Sequence, residues 1–284
     1  MATPRPLPYP NGERVAGVCI SERIRFSVSI RRFLLPENFS PQELYLLSDK
    51  ERHYLCRVLR LENGDEIEVF DGKGKEGKGE LEVLPSGSVG VRVKEMRARE
   101  KRSKGVLLGQ ALPKGRKMDL IIEKVTELGV ERVVPLLTKR ALVRLRDEEG
   151  EKKLGRWRRI AAQAARQSRH AFVPEVSPPM RFDDFIAPGP PPGFLPLLLW
   201  EEGKRELREI VRVGMDIYPL GVLVLVGPEG GFEGEEVKRA ERKGFIPVGM
   251  GRYILRTETA AIAISSILQY ELGSFSYEGQ KERG

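Results

Sequence analysis

Cysteine and histidine are scarce in this chain of 284 residues: Cys19, Cys56, His53 and His170 are all it has. Two cysteines exclude a disulfide framework and a Cys-rich zinc module. Two histidines leave too few ligands for a His-based metal site, and they disfavour His-dependent nucleophilic catalysis. No metal is therefore expected. Apolar runs are short as well. The longest, Phe194–Trp200 and Val222–Val226, fall far below a membrane span and read as buried strands. The N-terminus lacks the charged, apolar and cleavage regions of a secretory signal. Pro4, Pro6, Pro8 and Pro10 alternate there with small or basic residues, so residues 1–28 read as a disordered tail. Few cysteines and no export signal point to the cytoplasm.

What is present is an ordinary soluble composition, with 40% hydrophobic and 32% charged residues. The length suits one large domain or two modest ones, with a core that needs no covalent staples. Lys plus Arg number 49 against 41 Asp plus Glu, a net charge of +8. A Lys/Arg-rich soluble surface would account for that excess alone. Its distribution says more. From Lys152 to Pro174 there are seven Lys/Arg and no acid, and from Arg92 to Lys117 only Glu95 and Glu100 oppose the bases. Same-sign clustering in two separate segments is the footprint of a polyanion partner.

The chain divides by pattern. Residues 29–98 hold short strand-like pieces, Arg31–Leu35, Glu66–Phe70, Gly79–Leu84 and Val89–Val93, separated by turn signals, with one short helix over Asp49–Val58. This reads as a small β-barrel. Gly72-Lys73-Gly74-Lys75-Glu76-Gly77 matches a dinucleotide fingerprint, but Glu80-Leu81-Glu82-Val83 alternates like a strand where that motif needs a helix. A hairpin loop is expected there instead. After a charged linker over Arg97–Lys104, strands and helices alternate. The strands are Val106–Ala111, Val133–Leu137, Phe194–Trp200, Val222–Val226 and Ile246–Val248. The helices are Met118–Leu128, Gly155–Ser168, Lys204–Val211, Glu233–Lys243 and Thr257–Leu272. Such alternation predicts an α/β domain with a parallel sheet covered on both faces, over residues 104–275.

Four segments carry chemistry. The strand Val222–Val226 runs into Gly227-Pro228-Glu229-Gly230-Gly231-Phe232, a glycine-rich loop at a strand's carboxyl end, where backbone can approach a ligand. A plain βα turn would need fewer glycines. The segment Met250-Gly251-Arg252-Tyr253-Ile254-Leu255 leads into a helix opening Arg256-Thr257-Glu258-Thr259. Thr257 can cap that helix and Glu258 favours its positive end. Arg256 fits neither need, and it makes a doubly positive corner suited to an anion. In the third segment Lys114, Arg116 and Lys117 occupy a loop beyond a strand, and Glu123 and Glu127 share a helix face that is either solvated or functional. In the fourth, Arg159, Gln163, Arg166 and His170 fall on one stripe of an acid-free helix, a pattern suited to phosphate and base-edge contacts.

Taken together these segments resemble the RsmE-type 16S ribosomal RNA uridine-N3 methyltransferases of the SPOUT superfamily. The likeness rests on Arg57-Val58-Leu59-Arg60-Leu61, Val69-Phe70-Asp71-Gly72, Leu112-Pro113-Lys114-Gly115, Glu123 to Gly129, Gly227 to Gly231, and Ile254 to Ala260. It covers about residues 29–274. The resemblance implies a PUA-like RNA-binding β-barrel followed by a SPOUT α/β domain with a trefoil knot, a homodimer, and S-adenosylmethionine held in the knot. By that likeness Leu198, Leu199, Gly227, Glu229, Gly230, Gly231, Met250, Gly251, Ile254 and Leu255 would cradle the cofactor. Arg256 would orient the uracil or stabilise its charge, with Glu258 as a candidate base. Arg31, Arg57, Arg60, Lys114, Arg166 and Arg169 would contact RNA of the small ribosomal subunit. Two positions depart from the family's pattern: His170 and Tyr253 stand where it commonly has arginine. Two other readings stay open at this point, a different SPOUT enzyme acting on ribose 2′-oxygen or tRNA, and a non-catalytic RNA-binding assembly factor.

Overall fold

The structure, a computed structural model, describes residues 31–140 and 147–275. The tail expected over residues 1–28 lies outside the described residues, as does Cys19.

The first sheet has five strands: β1 (Arg32–Leu34), β2 (Leu44–Leu46), β3 (Glu66–Phe70), β4 (Lys75–Val83) and β5 (Val89–Ala98), in the order β1-β3-β4-β5-β2. β1 joins β3 in parallel and the remaining pairs are antiparallel. Alternation sets its inner face. Ile67 and Val69 of β3, Leu81 of β4, and Val91 and Val93 of β5 are buried with Phe33, Phe39 and Leu55. The helix expected over Asp49–Val58 is regular only through α1 (Asp49–Arg52), where Ser48 and Glu51 form a capping box. It then widens into a π-helical turn, His53–Val58, in which the Leu59 N–H reaches the Tyr54 carbonyl five residues back.

The glycine motif is not simply a hairpin loop. Its turn is confined to residues 71–74, where the Asp71 carboxylate accepts from the N–H groups of Lys73 (2.7 Å) and Lys75 (3.0 Å). From Lys75 the chain is already in β4, with Glu80–Val83 in the same strand. The turn is a docking element. Gly74 N–H donates to the Ala171 carbonyl at 3.1 Å, and Val173 N–H donates to Gly72 at 2.8 Å. Gly74 lies at φ +108°, and a Cβ there would sit 2.7 Å from the Phe172 ring, so no other residue fits without displacing the seam.

The second sheet is wholly parallel. Its strands are β6 (Gly105–Ala111), β7 (Arg132–Leu137), β8 (Glu175–Val176), β9 (Met180–Arg181), β10 (Phe194–Leu199), β11 (Gly221–Val226) and β12 (Ile246–Val248), in the order β12-β10-β11-β6-β7-β8, with β9 also on β7. Helices α2 (Lys117–Glu127), α3 (Asp147–Gln167), α4 (Phe182–Ile186), α5 (Leu207–Ile217), α6 (Gly234–Arg242) and α7 (Thr257–Glu271) cover it. β11 shows how both faces are filled. Val222, Val224 and Val226 pack with α2, α3 and α7 residues such as Ile121, Trp157 and Ile264. Leu223 and Leu225 pack with α4 and α6 residues such as Phe182 and Val237. A strand buried on both sides reads as an unbroken apolar run. The short β2, β8, β9 and α4 have too few residues to leave a periodic signal. Part of the expected charged linker, Arg97 and Ala98, extends β5. Beyond it Arg102 donates to the Ser274 carbonyl (3.1 Å) and Lys104 to the Met215 carbonyl (2.6 Å).

Candidate active site

Strand order reverses beside β6, since β7 and β8 lie on one side and β11, β10 and β12 on the other. Crevices at such a switch point, beyond the strands' carboxyl ends, are the usual ligand sites of open α/β sheets. A cleft opens to one side of that reversal, beyond the ends of β10, β11 and β12. One wall is the end of β10, with Leu199, Trp200 and Glu201. A second is the loop Gly227–Gly231 after β11. The third is Met250–Leu255, with Thr257 and Ala260 of α7 behind it.

Side-chain bonds hold these walls together. Buried Gln110, at the end of β6, donates to its neighbour Ala111's carbonyl (2.8 Å) and to Thr257 Oγ1 (3.0 Å). Thr257 Oγ1 donates in turn to the Gly227 carbonyl at 2.6 Å. The expected capping role of Thr257 is thus corrected. Arg256 is the N-cap of α7 and makes no side-chain cap bond, and the Thr257 hydroxyl is spent on the glycine loop. Gly231 closes that loop, its N–H donating to the Pro228 carbonyl (2.9 Å). It lies at φ +66°, in the left-handed region that favours glycine, and a Cβ would come 2.8 Å from the movable Glu201 carboxylate. Gly230 differs, since the nearest atom to a Cβ there is Arg140 Cδ at 3.4 Å.

A charged clamp sits beside the loop. Glu229 Oε1 accepts from Lys117 Nζ at 2.9 Å and from the Lys114 N–H at 3.1 Å. Burial raises the Glu229 carboxyl, but the Lys117 and backbone N–H bonds outweigh it and hold the group below the usual carboxylate range. The Glu229 carboxylate, and then Glu258, raise the Lys117 ammonium. Glu258 Oε2 is 3.5 Å from Lys117 Nζ, enclosed, and without a hydrogen bond. Sequence reasoning passed over Lys117 as a clamp, along with Trp200, Glu201 and Gln110. Trp200 and Glu201 directly follow a strand whose end was singled out, which is the signal that could have found them.

The remaining expected residues divide. Leu199, Gly227, Glu229, Gly230, Gly231, Met250, Gly251, Ile254 and Leu255 all border the cleft. Leu198 does not. It points to the opposite face of the sheet and packs with Phe232 and Val237, as strand alternation requires. The basic stripe of α3 also makes contacts within the chain. Arg166 is half-buried, its guanidinium 4.5 Å from the Tyr54 ring centroid. His170 Nε2 lies 2.9 Å from the Glu127 carbonyl at the end of α2. Arg159 is exposed and donates to the Gly155 carbonyl (3.2 Å). Glu123 and Glu127 both pair with Lys124, at 2.8 and 2.9 Å, as a surface cluster. Arg57, Arg60 and Arg169 are exposed, and Arg31 is exposed and 3.5 Å from Asp65. The Lys114 side chain is exposed while its backbone serves Glu229.

Among the described residues no helix is long and apolar enough to cross a membrane, and no three His, Cys, Asp or Glu side chains could hold a metal ion together. Comparison with known proteins agrees with this geometry. Residues 100–269 match an RNA methyltransferase domain family and residues 47–94 an RNA methyltransferase PUA domain. Ribosomal RNA small subunit methyltransferase E of Synechocystis is 33% identical, over 85% of this chain and 78% of that one. The Bacillus subtilis protein of the same name is 32% identical, over 84% of this chain and 92% of that one. The crystal structure of the Neisseria gonorrhoeae protein of that name, bound to S-adenosyl methionine, superposes with a TM-score of 0.77 at 29% identity, covering 87% of this chain and all of that one (100%). The chain belongs to the RsmE family of RNA methyltransferases.

Proposed function

We propose that this protein transfers a methyl group from S-adenosylmethionine to N3 of a uridine in 16S ribosomal RNA of the small subunit. The observation that carries the reading is the cleft itself. Two glycine-containing loops from different strands close over Leu199, with Thr257 behind them and Arg256 and Glu258 as its neighbours in sequence. The residues fit the cofactor. Leu199, Val226, Met250 and Ala260 offer apolar walls for a purine, and Pro228 and Glu229 carry the only side chains of the Gly227–Gly231 loop. Glu201 adds an exposed carboxylate at the rim, suited to a hydroxyl or a cationic sulfur. The cofactor supplies an electrophilic methyl on a sulfonium. Reading residues 29–98 as the RNA-binding barrel and 104–275 as the catalytic domain accords with the two sheets. A trefoil knot accords with the start of α7 lying against the ends of β6 and β11 through Gln110 and Thr257. A homodimer and a cytoplasmic setting follow from the same reading.

Displacement at sulfur depends on alignment of nucleophile, methyl and leaving group. Uracil N3 is a poor nucleophile until it loses its proton. Glu258, whose Oε2 is enclosed beside Lys117, takes that proton on its other carboxylate oxygen in this scheme. Arg256 stands exposed on extended backbone (φ −63°, ψ 150°) and neutralises charge developing on O2 or O4. The target base leaves its stack to reach the cleft.

Calorimetric titration with S-adenosylmethionine, then methylation of small subunits that lack the modification, tests the reading. Saturable binding and 3-methyluridine in the digested RNA are expected. Arg256→Ala is expected to cut turnover by about 100-fold while keeping cofactor affinity. A ribose-methylated product would move the enzyme to another SPOUT class, and absence of cofactor binding would leave an RNA-binding factor.

A further inference from the structure

The segment between β12 and α7 exposes large apolar side chains at the mouth of the cleft. Ile254 is 88% exposed and its neighbour Tyr253 is 68% exposed. Single exposed apolar residues need no explanation. Here two adjacent ones border a cleft, and cations flank them. The Arg252 guanidinium lies 4.9 Å from the Tyr253 ring centroid, and its Nη2 donates to the phenol oxygen at 2.8 Å. That pair of contacts fixes the ring although it is largely in solvent. Arg256 follows two residues after Ile254. Among the described residues neither Arg252 nor Arg256 has a carboxylate partner within ion-pair distance.

We infer that Tyr253 and Ile254 form a stacking lip for a nucleobase of the RNA, the ring offering a face and the isoleucine an apolar wedge, with Arg252 holding the ring in place. The inference rests on the proposed function for the identity of the polymer. A base drawn out of its stack leaves an apolar gap beside it, and proteins fill such gaps with aromatic faces or aliphatic wedges. The flanking charges decide the occupant. A polyanion meets both cations with phosphates while the ring and wedge take a base.

The test is fluorescence anisotropy of a labelled oligouridylate of about ten nucleotides against the full-length protein, with sedimentation velocity on each variant. Tyr253→Ala is expected to weaken binding about tenfold. Tyr253→Phe is expected to keep affinity within about twofold, because stacking needs the ring and not the hydroxyl. The slope of log affinity against log salt is expected to stay unchanged in both, because no charge is removed. Ile254→Ser is expected to weaken binding severalfold. Wild-type affinity in Tyr253→Ala overturns the lip, and so does a lower oligomeric state in that variant, which would assign the surface to a second copy. Oligouridylate binding does not require methyl transfer. If the wild-type enzyme binds but methylates nothing, the proposed reaction fails and the lip stands; if it binds no oligouridylate, the lip fails whatever the reaction.

Discussion

At the scale of single residues, two charged clusters set the sharpest expectations. Lys117 is the only side chain described that pairs with both Glu229 and Glu258. Because the folded Glu229 carboxyl sits below its ordinary value, its clamp contributes stability that is present above the unfolded carboxylate range and is lost as pH falls through the depressed value. Lys117→Met removes the main stabilising partner. The acid limb of cofactor binding against pH is then expected to move upward, toward the ordinary carboxylate range, with neutral-pH affinity less affected. Calorimetry across pH reads this directly, and an unmoved limb would dismiss the clamp. The second cluster lies in the first sheet. Arg32 is 1% exposed, its guanidinium 4.1 Å from the Phe70 ring centroid and 2.7 Å from Glu76 Oε1, while Arg99 shares the other oxygen at 2.7 Å. Burial lowers the Arg32 guanidinium and Glu76 opposes that shift. Glu76→Ala strands a buried cation and is expected to cost about 3–5 kcal/mol, read as a fall in denaturation midpoint. Nothing in the sequence marks this pair, because its members stand 44 positions apart.

At the scale of elements, the parts that repeat were legible and the parts that meet across the chain were not. Long strands and helices announced themselves by alternation and by the apolar stripe of α2, whose Ile121, Ile122 and Val125 are buried. The distinction between Leu198 and Leu199 was available from the same alternation, since neighbours in a strand face opposite sides. The glycine motif was rightly separated from nucleotide sites by the strand that follows it. Its docking partner, residues 171–173, lies about a hundred positions later and has no signal of its own. The strut from Gln110 through Thr257 to Gly227 was invisible for the same reason: a capping threonine and a strutting threonine look alike in sequence. Thr257→Val keeps the shape and deletes both hydroxyl bonds, leaving buried Gln110 short of a partner. The expected result is a loss of about 1–3 kcal/mol in stability, together with weaker cofactor binding. Thr257→Ser, which keeps the hydroxyl, is expected to restore most of both. Equal losses in the two variants would show that the methyl group, not the strut, matters.

At the scale of the whole molecule, the cleft is assembled from distant stretches of chain. Gln110 and Thr257 are separated by 147 positions, and Gln269 reaches back 140 to the Gly129 carbonyl (2.6 Å). The first sheet, by contrast, closes its own core within residues 31–98, from Phe33 through Val93. Contacts of such unequal reach form on different schedules, because long loops must close before distant contacts reward the closure. During synthesis this sheet can complete its core early, while the bond from Thr257 to the glycine loop waits for α7 to leave the ribosome. A nascent chain would thus carry its first folded sheet well before its cleft was complete. A message truncated before Thr257 would yield a chain whose Met250–Leu255 wall has no α7 behind it and no strut to the glycine loop.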